Sequence, residues 1–397
     1  MTRPVRLFLV AGEPSGDRLG GALLAGLRQL VGDGFEVQGI GGPAMAAEGL
    51  ASRFPMEDLS VMGLAEVLPR IPRLLARINE TAAAVTAMAP DALVTIDAPD
   101  FCLRVARRAR AQRPGLRVIH YVAPSVWAWR PGRAAKMAEV VDHVLALLPF
   151  EPPYMEAAGM TCDFVGHPVV AERQATPGEI AALRGELGLA PDQRLLAVLP
   201  GSRRGEVTRI GPVFAEVVRR LRAADPDLAI VVPAAAPVAE LVASVLPPDA
   251  AGWPRVLDPR GREDADAEGR KRAAFAAADV ALAASGTVSL ELAAAGTPMV
   301  VAYSASWLTE QVVQRMVRID TATLVNLVTD TRAVPEYLFG ACRADAIAPA
   351  VARLLDDPAA AAAQRDVGAQ AMLALGRGGE SPGLRAARSV LRAAARR

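Results

Sequence analysis

Residues 282–298, LAASGTVSLELAAAGTP, contain the most informative pattern in this chain. An apolar run ends in a Ser-Gly-Thr loop and a helix-forming run follows, which predicts the strand, loop and helix of a parallel α/β sheet. Because the first N–H groups of a helix have no intrahelical partner, the loop of Ser285, Gly286 and Thr287 is predicted to bind a phosphate. Glu291 lies about one turn further on, within reach of a sugar hydroxyl. From this stretch alone, a strand-to-helix turn without a ligand is an equally good interpretation.

A second strand and loop, residues 196–207 with the sequence LAVLPGSRRGEV, repeats this arrangement with basic side chains. Gly201 and Ser202 follow the apolar run, and Arg203 can hold phosphate oxygens through paired N–H donors. Glu206, in the helix that follows, belongs to the same candidate site. Two anion-binding strand ends in one half of the chain predict a diphosphate, and hence a nucleotide-linked substrate.

The composition excludes several classes of protein. At 397 residues the chain is too long for one typical core, so two domains are expected. A net charge of +1 argues against binding nucleic acid. No apolar run is long enough for a membrane-spanning helix and no signal peptide is evident. The isolated cysteines fit a reducing cytoplasm, where we expect the protein to be located. The three cysteines are isolated and no metal-ligand spacing is visible, so neither a metal nor a cofactor is expected.

Short apolar runs alternate with helical stretches throughout the chain, which is typical of βαβ units. The predicted strands are residues 6–10, 92–96, 118–122 and 144–147 in the first half, and 195–199, 229–232, 280–283 and 299–302 in the second. A polar segment at 172–177 precedes a predicted helix at 179–188. We therefore predict an α/β protein with two doubly wound, Rossmann-like domains that face each other across a cleft. The predicted domains are 1–175, 176–365 and a helical tail at 366–397.

The amino-terminal half offers candidate catalytic residues at strand ends. Asp97, in the segment TIDAPDF at 95–101, follows a predicted strand, where ligands of doubly wound sheets bind. A helix-capping or turn aspartate explains its position as well. His120 is either a catalytic residue or a hydrogen-bonded core histidine. The glycines after the first strand lack the G-x-G-x-x-G spacing and Pro14 interrupts them, which weighs against a dinucleotide-binding dehydrogenase.

Several segments form a recognisable set, in which the tryptophan-bearing block at 120–129 is highly specific. In chain order they are AGEPSGD at 11–17, VMGLAEVL at 61–68, IDAPDF at 96–101, HYVAPSVWAW at 120–129, LPFE at 148–151, GHP at 166–168 and LPGSR at 199–203. The set resembles the lipid-A-disaccharide synthase family from about residue 7 to about residue 340. The resemblance implies a GT-B glycosyltransferase that inverts the anomeric centre and needs no metal.

The resemblance also implies a reaction. The enzyme would transfer 2,3-diacylglucosamine from UDP-2,3-diacylglucosamine to 2,3-diacylglucosamine 1-phosphate, which releases UDP and forms the β-1,6-linked lipid A disaccharide 1-phosphate. The resemblance points to Asp97 as the base that accepts the proton of the acceptor's 6-hydroxyl group. Arg203 and the helix start after Gly286 would stabilise the leaving UDP, and Glu291 would accept from its ribose. Further candidate catalytic or acceptor-binding residues in the matched segments are Glu13, Ser15, Asp17, Asp100, His120 and Ser125.

Two positions depart from the family's pattern. Ser304 stands where relatives usually carry a basic residue, and Val325 stands where they tend to carry proline. The first concerns one phosphate contact and the second the path of a loop, so neither touches the two nucleotide-binding loops. The resemblance further implies a terminal helix that crosses back to the first domain, as is frequent in GT-B folds.

Both implied substrates carry acyl chains, so contact with a membrane is expected. Residues 67–78, VLPRIPRLLARI, interleave leucine and isoleucine with arginine, as interfacial helices attracted to anionic lipid do. An amphipathic helix packed on the core with solvated arginines fits equally well. We predict peripheral attachment to the inner membrane that weakens as salt rises, through Met62, Leu68, Arg70, Ile71, Arg73, Leu74, Leu75 and Arg77.

Two other functions remain open from the sequence. A UDP-N-acetylglucosamine transferase of peptidoglycan synthesis shares the donor helix, but the tryptophan block at 127–129 and the segment at 97–100 argue against it. A non-catalytic nucleotide-sugar or lipid-binding protein needs no base opposite the donor. The combination of Asp97, Arg203 and Glu291 therefore disfavours a pure binding protein.

Overall fold

The chain folds into two compact units. The computed structural model describes residues 3–59, 64–130, 132–305, 310 and 320–395, and for residues 64–70 it describes the helix but not the side chains. One unit comprises Met1–Ala171 together with Leu375–Arg397, and the other comprises Glu172–Ala374. These divisions differ from the predicted boundaries at residues 175 and 366. The last helix belongs to the first unit, whereas the helix before it belongs to the second.

The first unit is built on a six-stranded parallel sheet with the strand order β2-β1-β3-β4-β5-β6. Its strands are β1 Val5–Ala11, β2 Phe35–Ile40, β3 Ala92–Ile96, β4 Arg117–Tyr121, β5 His143–Ala146 and β6 Thr161–Phe164. Its helices are α1 Pro14–Val31, α2 Pro43–Ala47, α3 Leu64–Met88, α4 Pro99–Gln112, α5 Gly132–Ala138, α6 Pro152–Glu156 and the terminal α15 Pro382–Ala395.

The second unit has a six-stranded parallel sheet of its own, with the order β12-β11-β10-β7-β8-β9. Its strands are β7 Leu195–Leu199, β8 Ala229–Pro233, β9 Arg255–Leu257, β10 Val280–Ala284, β11 Met299–Tyr303 and β12 Glu336–Leu338. Its helices are α7 Pro177–Glu186, α8 Arg204–Ala224, α9 Ala239–Val245, α10 Asp264–Ala277, α11 Val288–Ala295, α12 Leu324–Thr329, α13 Ala344–Asp356 and α14 Pro358–Ala374.

All eight strands predicted from apolar runs are present, with bounds that differ by no more than one residue. Four further strands were not predicted, namely β2, β6, β9 and β12. Each of these four is an edge strand of its sheet. Edge strands are covered less completely than central ones, and β6 and β12 contain no fully buried residue. They therefore lack the continuous apolar run that marks a central parallel strand.

Helix starts bring the functional loops to one edge of each sheet. Pro14 and Pro99 are the first residues of α1 and α4. Proline is well suited to this position, because an N–H group in the first turn of a helix would have no intrahelical partner and its absence costs nothing. The predicted helix at 179–188 begins two residues earlier as α7, where Thr176 and Glu179 form a reciprocal capping box. Since all strands are parallel, the loops that follow them lie at the carboxyl edge of the sheet, where doubly wound proteins bind ligands.

The terminal helix α15 completes the core of the first unit. Its buried Ala386, Ala387 and Val390 belong to one apolar cluster with Leu23 and Leu27 of α1. Beside it, the backbone N–H of His167 donates to the carbonyl of Leu375 at 3.2 Å. A polar network also ties α15 to the sheet, since His143 Nε2 lies 2.8 Å from Ser389 Oγ, and Ser389 donates to Asp163 at 2.5 Å.

Candidate active site

Asp97 lies directly after β3 in a left-handed backbone conformation with φ of 54°, and Ala98 follows at 41°. The backbone N–H of Asp97 donates to the carbonyl of Tyr121 at 3.0 Å. The carboxylate accepts from Ser15 Oγ and from the N–H of Ala98, both at 2.9 Å. The side chain is half-buried. Asp97 is thus a fixed carboxylate at the carboxyl edge of the sheet, which is the position a general base requires.

Other candidate residues lie at the same edge of the sheet. Glu13 and Ser15 are exposed at the start of α1, which follows β1. Asp100 is exposed in the first turn of α4. Ser125 is exposed in the loop after β4, where its carbonyl accepts from the N–H groups of Ala128 and Trp129 at 3.2 Å. Because β1, β3 and β4 are neighbours in the sheet, these polar groups share one edge with Asp97.

Asp17 and His120, which the sequence left as possible catalytic or acceptor-binding residues, make structural contacts. The buried carboxylate of Asp17 accepts from the backbone N–H groups of Gly42, Ala44 and Met45 at 2.8, 2.8 and 3.0 Å, so it caps α2. His120 is 1 % exposed, and its Nδ1 lies 2.8 Å from Thr95 Oγ1. Burial lowers the pKa of His120 to about 4. We therefore interpret both as structural residues, and His120 as the core histidine that the sequence left open.

Glu151 is a buried carboxyl group that we did not select from the sequence, although it ends the segment LPFE. It is 4 % exposed, and it accepts from the N–H groups of Leu147 and Leu148 at 3.1 and 2.9 Å. Its other oxygen accepts from Trp127 Nε1 at 3.3 Å. Burial raises the pKa of Glu151 to about 7, although these hydrogen bonds act in the opposite direction. Glu151 therefore holds one of the two tryptophans of the specific block in place.

His167, in the GHP segment, behaves like His120. Its Nδ1 accepts from the backbone N–H of Val169 at 3.2 Å. Burial lowers the pKa of His167 to about 4. The side chain is thus a neutral cap of the short turn Pro168–Val170.

In the second unit, the loop after β7 was expected to have backbone N–H groups free to bind a phosphate, but two of them are already hydrogen-bonded. The N–H groups of Ser202 and Arg203 donate to the Glu206 carboxylate at 3.2 and 3.3 Å, and the Arg203 guanidinium also contacts it at 3.1 Å. Gly201 has φ of 114°, and a Cβ there would lie 2.7 Å from Glu206 Oε2, so only glycine fits. Glu206, which the sequence placed in the candidate UDP-binding site, is thus a cap that holds Arg203.

The loop of Ser285, Gly286 and Thr287 lies beside the Arg203 loop, because β10 pairs with β7 and Ala283 is aligned with Leu199. The N–H of Ser285 donates to the carbonyl of Ala302 at 2.9 Å, which anchors the loop on β11. Gly286 and Thr287 are exposed immediately before α11. The structure therefore brings the two predicted phosphate-binding loops together at one edge of the second sheet.

Glu291, in the first turn of α11, is paired with a cation that the sequence analysis missed. Lys271 Nζ lies 2.7 Å from Glu291 Oε2 and 3.6 Å from Glu268 Oε2. Lys271 lies in a charged stretch at 260–272, most of which forms α10. The signal that could have found it is compositional, since Lys136 and Lys271 are the only lysines among 44 basic residues.

The predicted membrane-binding residues divide into two groups along α3. Met62, and the side chains of Leu68 and Arg70, lie outside the described residues. Leu74 and Leu75 pack against the core, and Arg77 contacts Asp58 and Glu80 at 2.7 Å and covers the Phe54 ring at 4.3 Å. For these three residues the structure favours the alternative of an amphipathic helix packed on the core.

Ile71 and Arg73 are the remaining candidates of that helix. Ile71 is a large apolar side chain that is 38 % exposed. The Arg73 side chain is 64 % exposed, although its guanidinium contacts Asp58 at 2.6 Å. Of the described part of the predicted membrane surface, these two side chains are the ones that remain open to solvent.

Within the described ranges, no three His, Cys, Asp or Glu side chains are grouped as a metal site would need. None of the helices that the structure describes is both long and apolar enough to cross a bilayer.

A family model described as lipid-A-disaccharide synthetase matches residues 7–382. The lipid-A-disaccharide synthase of Ruegeria pomeroyi is 62 % identical over 389 residues, which cover 98 % of this chain and 95 % of that protein. The lipid-A-disaccharide synthase of Rhodospirillum centenum is 50 % identical over 390 residues, or 98 % of this chain and 94 % of the relative.

Solved structures resemble the fold at low sequence identity. The calicheamicin glycosyltransferase CalG4 superposes with a TM-score of 0.58 at 18 % identity, over 99 % of this chain and 98 % of its own. The glycotransferase of kitacinnamycin reaches a TM-score of 0.60 at 18 % identity, over 98 % of this chain and 99 % of its own. The predicted α/β, GT-B class is thereby confirmed.

Proposed function

This chain belongs to the lipid-A-disaccharide synthase family, and on that basis we propose the reaction that it catalyses. It is a glycosyltransferase of lipid A biosynthesis, so its substrates are a nucleotide sugar and a lipid acceptor. The proposed donor is UDP-2,3-diacylglucosamine, and the proposed acceptor is 2,3-diacylglucosamine 1-phosphate. The acceptor's 6-hydroxyl oxygen attacks the anomeric carbon while the bond to UDP breaks, which inverts that centre. The products are the β-1,6-linked disaccharide 1-phosphate and UDP.

The single observation that carries the proposed mechanism is the environment of Asp97. A carboxylate that takes a proton from an attacking hydroxyl must be fixed at the edge where substrates bind. The hydrogen bonds from Ser15 and Ala98 fix Asp97 in this way. They also engage each of its oxygens only once, so lone pairs remain for the hydroxyl of the acceptor. Asp97 then accepts the proton as the new carbon–oxygen bond forms.

The leaving UDP needs positive charge, and we assign that role to the two loops of the second unit. Arg203 supplies a guanidinium that is 70 % exposed, and the start of α11 supplies backbone N–H groups and the positive end of the helix dipole. For the Arg203 loop, phosphate oxygens must compete with Glu206 for the same donors. Glu291 would accept from the ribose hydroxyls.

We further propose that the enzyme attaches peripherally to the cytoplasmic side of the inner membrane. The acyl chains of both substrates require a lipid surface. The exposed Ile71 and Arg73 of α3 supply an apolar side chain and a cation of the kind that interfacial helices use.

The test is release of UDP from the diacylated donor, measured with and without the monosaccharide phosphate acceptor. We expect release to depend on the acceptor. Asp97→Asn should lower turnover by roughly 100- to 10,000-fold, because the amide cannot take the proton, while UDP still binds. Asp33→Asn, at an exposed turn, is the matched control. Near-normal turnover in Asp97→Asn would remove Asp97 from the mechanism, and acceptor-independent release would remove the proposed reaction.

A further inference from the structure

The side chains around Glu291 include a lysine to which the proposed reaction assigns no role. Lys271 is one of two lysines in a chain with 44 basic residues, and the other, Lys136, is exposed in the first unit. Nearly every cation of this protein is therefore an arginine. The cation beside the proposed ribose-binding carboxylate is thus one of the two exceptions.

Lys271 is held between two carboxylates and an aromatic ring. Its Nζ lies 2.7 Å from Glu291 Oε2, 3.6 Å from Glu268 Oε2 and 5.6 Å from the centroid of the Phe275 ring. The side chains of Lys271 and Glu291 are 33 % and 28 % exposed. Burial opposes the charge, but the carboxylates of Glu291, Glu268 and Glu172 raise the pKa of Lys271 above its usual value. Lys271 is therefore positively charged at neutral pH.

The geometry of the pair leaves part of the Glu291 carboxylate available to a ligand. Glu291 lies in the first turn of α11, next to the loop that is assigned to the phosphates. A lysine ammonium is a compact point charge, whereas an arginine fork tends to engage both carboxylate oxygens. Contact through Oε2 leaves Oε1 for other donors.

We propose that Lys271 is a positioning residue of the donor site, which holds Glu291 through Oε2 so that Oε1 accepts hydrogen bonds from the ribose hydroxyls of the nucleotide. This inference rests on the proposed UDP-sugar site. Lys271 acts through Glu291 and touches neither phosphate nor sugar. Its loss should therefore be felt only by ligands that carry those hydroxyls.

The experiment compares UDP with 2′,3′-dideoxy-UDP by calorimetry, using the full-length protein. The wild type should bind UDP about 10- to 100-fold more tightly, since a hydrogen bond to a charged group contributes roughly 1.5–3 kcal/mol. In Lys271→Met most of this preference should disappear, with weaker binding of UDP and unchanged binding of the dideoxy ligand. Lys136→Met should keep the wild-type preference.

Double substitution separates the remaining explanations. If Lys271 acts through Glu291, adding Lys271→Met to Glu291→Gln should cause no further loss of UDP affinity. Equal weakening of both nucleotides in Lys271→Met would instead indicate a direct phosphate contact or a purely structural ion pair, and would overturn the proposal. A preference that survives in Lys271→Met would also overturn it. If the wild type bound no UDP at all, the proposed function itself would fail.

A second variant keeps the proposal testable if Lys271→Met does not fold. Lys271→Arg keeps the positive charge beside Glu291, but a guanidinium fork tends to engage both carboxylate oxygens. It should therefore also lose most of the preference for UDP over the dideoxy ligand. A wild-type preference in Lys271→Arg would overturn the proposal.

Discussion

Asp97 occupies a backbone conformation that its neighbours must sustain. A left-handed conformation at a residue other than glycine costs about 1–3 kcal/mol and persists only where the surroundings determine it. The bond from the Asp97 N–H to Tyr121 and the bonds from Ser15 and Ala98 to its carboxylate provide that determination. The strained backbone therefore accompanies a carboxylate that is already oriented before substrate binds.

Arg203 and Arg204 are adjacent and both exposed, so they offer a matched pair for the donor site. We predict that Arg203→Gln raises the Kd for UDP roughly 10- to 100-fold, because a charge-assisted hydrogen bond to phosphate is lost. Calorimetric titration of UDP measures this change. Arg204→Gln removes the same charge one residue later and should change the Kd less than about 3-fold, within the usual range of an exposed surface substitution.

Equal effects of the two substitutions would show that only the general positive charge of this loop matters. In that case Arg203 would not be a specific phosphate ligand.

Glu151 predicts a pH dependence of stability. Burial raises its pKa from 4.5 to about 7, so the folded chain binds more protons than the unfolded chain between these values. The resulting stability is present below pH 4.5 and is lost as the pH rises to about 7, by about 3 kcal/mol at most. Replacing the acid by an amide in Glu151→Gln should abolish this component.

The measurement is urea unfolding of wild type and Glu151→Gln from pH 5 to pH 8, and the difference between the two is the quantity of interest. His120 and His167 have lowered pKa values, so they change stability in the opposite direction, but they cancel in the difference. Glu156→Gln, at an exposed position one turn later, should give no such difference. A pH-independent difference for Glu151→Gln would contradict a titrating buried carboxyl group.

Among the secondary-structure elements, α1 and α15 approach each other closely at glycine residues. A Cβ at Gly383 would lie 2.4 Å from the carbonyl oxygen of Ala22, and one at Gly26 would lie 2.6 Å from the carbonyl oxygen of Gly383. Glycine on both helices lets their backbones meet. This contact and the apolar cluster around Leu23 hold the chain's last helix on the first unit.

We predict that Gly383→Ala destabilises the first unit by about 1–3 kcal/mol, because the added methyl group must push the two helices apart. Urea unfolding followed by circular dichroism measures the loss. Gly379→Ala is the control, since a Cβ there meets its nearest atom at 3.5 Å. If both variants were equally stable, the close approach of α1 and α15 would not limit stability.

For the whole molecule, the net charge of +1 gives no general attraction to anionic lipid, so binding must come from a local surface. We predict that the protein floats with vesicles of anionic lipid at low salt and less so as salt rises. Ile71→Asp should reduce flotation several-fold, because an acidic group replaces an exposed apolar one on α3. Flotation that does not respond to salt would contradict an electrostatic attraction between the arginines of α3 and anionic lipid.

Leu373→Asp is the matched control for Ile71→Asp. Leu373 is a large apolar side chain that is 64 % exposed, but it lies on α14 of the second unit. This substitution should leave flotation unchanged. A similar loss in both variants would indicate that any exposed apolar residue supports binding.

The central strands, the loops after β7 and β10 and the family could be predicted from the sequence, because a buried parallel strand and a loop motif are each a continuous stretch of residues. The edge strands were not predicted, because half-exposed strands lack a continuous run of apolar residues. The Glu206 cap on the Arg203 loop is local, but the sequence pattern does not show which donors a carboxylate will take. The other contacts needed the folded chain: Asp17 caps α2, His120 packs in the core and Lys271 pairs with Glu291. These contacts join residues that are distant in the sequence, and burial and hydrogen bonding between such residues arise only when the chain has folded.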